Sequence, residues 1–91
     1  MKTTLLLLIT LAACSPQTEE TKAETVCKNI LRCFPKANYG ACVSGSIQGN
    51  RALPADERDL DWQKSIYNSE QSCPDLELTF YRAGMDMSGA K

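Results

Sequence analysis

Five of the 91 residues are cysteine, at positions 14, 27, 33, 42 and 73, and none is histidine. Thiols so placed could ligate a metal, carry redox chemistry or form disulfides. Structural zinc sites bring their ligands in C-x₂₋₄-C pairs, whereas Cys27, Cys33, Cys42 and Cys73 are separated by five, eight and thirty residues. A C-x-x-C redox pair is also missing. Without histidine there is no Ser-His-Asp or Cys-His nucleophile and no histidine-bearing metal site. Asp56, Glu57, Asp59 and Asp61 could in principle offer carboxylates to calcium or to a glycosidic bond. The glycine-centred EF-hand loop is absent, however, and acids at a helix start complement the helix dipole while staying solvated. A domain of about 70 residues offers no cleft in which to bury a carboxylate pair. Ser44-Gly45-Ser46 has no base beside it and reads as a helix turn. Ten Lys and Arg balance eleven Asp and Glu without a basic stripe, which removes the electrostatic footing for a nucleic-acid partner. The expectation is a protein without catalysis, metal, cofactor or small-molecule substrate, whose cysteines are staples.

The elements that position those cysteines are helical. From Ala23 to Phe34, Ala23, Val26, Cys27, Ile30, Leu31, Cys33 and Phe34 fall within an arc of about 160° at 100° per residue. Pro35 stops this helix. Asn38 is a candidate cap for a second helix from Tyr39, with Tyr39, Cys42, Val43 and Ile47 on one face and Gln48-Gly49-Asn50 at its end. A third opens at Leu53-Pro54-Ala55-Asp56, with Pro54 near its first turn. Its stripe is Trp62, Ile66, Ser69 and Cys73, and Pro74 closes it. Trp62, Tyr39, Tyr67 and Tyr81 are types expected mainly in the core, but Leu60 and Tyr67 lie opposite the stripe and, if exposed, form a small patch for a protein partner. Leu76, Leu78 and Phe80 alternate with Glu77 and Thr79, the period of a strand. No second strand stands ready to pair with it, so a short helix or a packed arm fits equally. Gly84 to Lys91 is expected to fray. The fold class is mostly α: about three short helices over residues 23–83, held by two disulfides.

Ahead of this domain, Met1-Lys2-Thr3-Thr4 leads into an apolar run, Leu5 to Ala13. A basic start and a run of this length form a secretory signal peptide, well short of the roughly twenty residues that span a membrane. The run ends Leu11-Ala12-Ala13-Cys14, which resembles the lipobox of bacterial lipoproteins. That resemblance implies cleavage before Cys14, a diacylglycerol on its thiol and an acylated amine. Residues 1–13 are then the leader, residues 14–22 the lipidated cysteine and a polar tether, residues 23–83 the stapled domain and residues 84–91 a tail. Two or more acyl chains, at about 0.8 kcal/mol per buried CH₂, anchor a protein durably. Ser15, where an aspartate would favour retention in the inner membrane, implies the periplasmic face of an outer membrane. Setting Cys14 aside leaves an even number of cysteines in an exported chain, as disulfide pairing requires.

Cys27 and Cys33 sit six residues apart on one helix, about 9 Å along the axis and 120° around it, beyond the Cα separation of about 7 Å that a disulfide tolerates. Two connectivities remain. A tight antiparallel hairpin about residues 36–38 would mirror Cys33 onto Cys42 and favour Cys33–Cys42 with Cys27–Cys73. Cys27–Cys42 with Cys33–Cys73 needs an offset hairpin. The layout also resembles the stapled helical domains of small bacterial lipoproteins, a likeness that carries no assigned activity. Of the function classes left open, the expected one is a lipid-anchored envelope protein of structural, adaptor or binding type, partnered by the membrane through Cys14 and by an envelope protein. The alternative is an inhibitor, immunity or exclusion lipoprotein that blocks an incoming enzyme, toxin or phage.

Overall fold

In the computed structural model, residues 18–91 are described; the expected leader, the lipobox-like residues 11–14 and the expected lipid site at Cys14 lie outside the described residues. The first helix, α1, runs Glu19–Cys33. Thr18 caps it by accepting the Thr21 amide on Oγ1 at 3.2 Å, and Glu19 and Glu20 face the positive end of the helix dipole. The helix therefore starts inside the stretch expected to be tether. Polar composition there marks a solvated first turn, and a threonine followed by two glutamates is itself a helix-start pattern.

Asn38 caps the second helix, α2 (Tyr39–Arg51), accepting the Ala41 amide at 2.9 Å. After Pro54 a single 3₁₀ turn, Ala55–Glu57, leads into α3 (Arg58–Ser69). The fourth helix, α4 (Cys73–Arg82), occupies the segment whose alternation suggested a strand. With no partner strand among the described residues to take its hydrogen bonds, the segment satisfies its own backbone, and Pro74 is well placed in the first turn. Gly84, at φ 88°, ends α4. Its amide donates to Tyr81 O at 3.0 Å and that of Met85 to Phe80 O at 2.8 Å, the paired bonds of a Schellman cap. The chain after Gly84 is not a frayed tail. It closes in a 3₁₀ turn, Ser88–Ala90. There the Lys36 amide donates to Ala90 O at 2.9 Å, and Lys91 Nζ lies 2.6 Å from Glu77.

These four helices are mostly-α architecture as the sequence predicts, with one helix more. Helix α1 is central and packs against both α2 and α3. Its Ala23 and Val26 are buried against Trp62 of α3, with Ile30, Val43, Ile47 and Ile66 around them. Helix α4 meets this body at a second point, where Phe34 and Phe80 stack edge to face with ring centres 5.8 Å apart and Leu76 is buried.

The disulfides are Cys27–Cys42 and Cys33–Cys73, which corrects the favoured pairs Cys33–Cys42 and Cys27–Cys73. Two features decide it. Phe34 turns fully into the core immediately after α1, and the Ala37 amide returns to Phe34 O at 3.0 Å. The connection thus doubles back before α2 begins. Cys27 stands six residues before the end of α1 and Cys42 three residues after the start of α2, about 9 Å and 4.5 Å along the axes. The hairpin is offset by nearly one turn. The 120° between Cys27 and Cys33 then directs one toward α2 and the other toward the start of α4.

Asn50, near the end of α2, is buried at 2 % exposure. Its Nδ2 donates to Arg58 O at 3.0 Å and to Asp61 Oδ2 at 2.9 Å, tying α2 to the start of α3, while its Oδ1 has no partner. Both neighbours accept hydrogen bonds, so only an amide suits the position. Asn50→Asp is expected to cost about 2 kcal/mol at neutral pH. The new carboxyl has a folded-state pKa raised by burial and by Asp61. The penalty is present above that raised value and relieved as pH falls through it. Urea midpoints compared with wild type across acid pH should show the gap narrowing; a gap independent of pH would sink the assignment.

Candidate interaction surface

On α3 the inward face is taken by Trp62, Ile66 and Ser69, and the rest of the helix must face solvent. Leu60 and Tyr67 are seven residues apart, about 20° from one another around the helix and 10.5 Å along it. Both are exposed, Leu60 at 53 % and Tyr67 at 74 %. On α4 the inward positions are Leu76 and Phe80, one turn apart. Leu78 is turned some 200° from Leu76 and lies outside with Tyr81, both exposed; Met85, just after the helix, is also exposed but borders the side of Leu76 and Phe80. Pro74, Leu78, Tyr81 and Met87 line a shallow depression of about 310 Å³, with Glu77 and Asp86 at its charged side. The molecule thus shows water two helix faces carrying large apolar or aromatic side chains. Tyr67 and Tyr81, types expected chiefly in the core, are outside it. The exposed residues of α4 were hidden from sequence reasoning, because a strand reading puts Leu76, Leu78 and Phe80 on one side. A helical projection of the same residues separates Leu78.

The charged groups are engaged elsewhere. Arg51 holds Glu19 through Nε at 3.0 Å and Nη2 at 2.8 Å, joining the end of α2 to the start of α1. These hydrogen bonds hold the Glu19 carboxyl below its ordinary pKa. Asp86 is likewise held low, first by the Ser88 amide, which donates to Oδ1 at 3.0 Å. Arg58 donates to the carbonyls of Leu53 and Arg51, each at 3.0 Å, pinning the turn between α2 and α3. Arg32 does the same for the turn after α3, with Nη2 2.8 Å from Gln71 O. Beside it Asn29 Nδ2 donates to the buried Ser69 hydroxyl at 3.0 Å, which in turn donates to Ile66 O at 2.7 Å.

The acidic residues 56, 57, 59 and 61 do not converge. Asp61 serves Asn50, and Asp59 faces Lys22 at 3.9 Å. Among the described residues no three His, Cys, Asp or Glu side chains are grouped as metal ligands. Ser44 accepts from Gln48 Nε2 at 3.4 Å, and Ser46 touches Cys27 Sγ at 3.8 Å; neither contact activates a nucleophile. In a polar hollow of about 410 Å³ between Glu19, Lys22, Arg51, Arg58 and Asp59, Glu19 pairs with Arg51 and Lys22 with Asp59, while Arg58 is spent on backbone carbonyls. The chemistry such a surface offers is association through Leu60, Tyr67, Leu78, Tyr81 and Met85. Among the described residues no helix is long and apolar enough to cross a membrane. No protein-family model matches the chain, and searches of curated proteins and of solved structures find no match either.

Proposed function

We propose that this chain is a lipid-anchored lipoprotein of the bacterial envelope, held at the periplasmic face of the outer membrane by Cys14, and that it acts by binding an envelope protein without catalysis. The sequence Leu11-Ala12-Ala13-Cys14 carries the reading. It is supported by the cysteine pairing downstream: Cys27, Cys33, Cys42 and Cys73 bond among themselves, so the fold makes no demand on Cys14. Two disulfides suit an exported chain. A lipid anchor leaves the domain's own surface free for work, and its exposed apolar side chains at positions 60, 67, 78, 81 and 85 are of the kinds that fill the centres of protein interfaces.

The test is the intact mass of the protein extracted from membranes, before and after reduction with thiol alkylation. A chain beginning at Cys14 with a diacylglycerol and an acyl chain added is expected, with Cys14→Ser releasing the protein from the membrane fraction. A processed chain without lipid would overturn the anchor. A Leu60→Ser, Tyr67→Ser pair that retained every cross-linked envelope partner would remove α3 from the binding face.

A further inference from the structure

The two disulfides differ in their surroundings. Cys27 is fully buried, and its sulfur meets the Ser46 hydroxyl at 3.8 Å. Cys33 and Cys73 are both partly exposed. They line an open cavity of about 460 Å³ together with Phe34, Pro74, Glu77 and Lys91. Cys73 is the first residue of the ten-residue helix α4, where aligned amides favour negative charge. The Arg32 guanidinium stands beside it, with Nη1 3.7 Å from Cys73 Sγ, and is fixed there by its bond to Gln71 O. A cation and a helix start together stabilise a cysteine thiolate.

We propose that Cys33–Cys73 is a thiol–disulfide exchange site for a dithiol reductant, and that Cys27–Cys42, of which Cys27 is buried and only Cys42 is partly exposed, is a structural bond less open to it. A thiolate of the dithiol attacks Cys33 Sγ. The S–S bond breaks, a mixed disulfide forms at Cys33, and the electron pair leaves on Cys73 as a thiolate held by Arg32. The second thiol of the reductant then attacks its own mixed sulfur, releasing the Cys33 thiolate. The dithiol is oxidised to a disulfide, both cysteines are reduced, and its two protons pass to solvent or to the two thiolates. The direction of attack follows from leaving-group stability, since the better-stabilised thiolate departs faster. Opening this bond removes the covalent tie between α1 and α4, leaving the Phe34–Phe80 contact, while Cys27–Cys42 still joins α1 to α2. The inference does not depend on the lipid at Cys14.

The purified full chain is first treated with N-ethylmaleimide to block any free thiol. It is then exposed to dithiothreitol under native conditions, trapped with iodoacetamide at intervals and mapped by mass spectrometry. Cys33 and Cys73 are expected to be alkylated together, about tenfold or more ahead of Cys27 and Cys42. Simultaneous labelling of all four, or labelling of Cys27 and Cys42 first, would overturn the proposal without any variant. Arg32→Ala is expected to slow opening of Cys33–Cys73 about threefold, because the departing Cys73 thiolate loses the cation beside it, with Arg32→Lys restoring part of the rate. A purely structural Arg32 gives the opposite sign, because a loosened α4 would expose the bond and speed its reduction.

Discussion

With both disulfides reduced and alkylated, the domain is expected to lose its helical circular dichroism at ambient temperature and neutral pH. The bonds close loops with sequence separations of 15 and 40 residues. The chain-entropy account assigns these about 3 and about 4 kcal/mol. A domain of this size has a total stability of roughly 5 kcal/mol or little more. The apolar interior is correspondingly thin: Ala23, Val26, Cys27, Phe34, Trp62 and Leu76 are its buried members, and one of them is itself half of a disulfide. Helices of 10 to 15 residues are marginal in water once freed from their neighbours. Persistence of the native spectrum after alkylation of residues 27, 33, 42 and 73 would mean that the contacts around Trp62 suffice alone.

Trp62→Ala should remove about 3–5 kcal/mol, the range for deleting a large buried aromatic, and leave the oxidised protein only about 2 kcal/mol or less of its stability. Trp62 is 4 % exposed and is the one side chain in the central cluster that α3 contributes as a fully buried member. Its neighbours Ala23 and Val26 are small, and both sit on a helix whose position is set by Cys27–Cys42. They are poorly able to close over the void. Trp62→Phe should recover more than half the loss. Urea unfolding followed by circular dichroism reads both variants, and a Trp62→Ala midpoint close to wild type would show that the cluster is not where stability resides.

Much of this architecture is legible in the residues. The stripe from Ala23 to Phe34, the Asn38 cap and the Trp62–Ile66–Ser69 face are local patterns, and local patterns survive folding because helices make their own hydrogen bonds. What escaped depended on distance. The disulfide register turned on whether residues 34–38 cross directly or fold back, and that was decided by the burial of Phe34, a tertiary fact. The Leu76–Phe80 segment has an alternation that a strand would use, yet a strand needs a neighbour that the described residues do not supply. Asn50 looks like a helix terminator in sequence. Only its placement between the Arg58 carbonyl and Asp61 shows it as a buried tie. Leu60 and Tyr67 could be assigned to an outer face from periodicity alone, whereas Leu78 and Tyr81 could not, because their face depends on α4 being a helix. The resemblance of residues 11–14 to a lipobox is a matter of local residue types, and a fold of residues 18–91 neither requires nor alters it.

The early start of α1 also sets a length scale. Only Ser15, Pro16 and Gln17 separate Cys14 from the helix cap at Thr18, a contour of about 14 Å at full extension. On a lipid-anchored Cys14 the domain would be leashed close against the headgroups, unable to search the depth of the compartment for a target. Its encounters would be lateral, with other residents of the same membrane, and its effective concentration toward them would be set by diffusion in a plane.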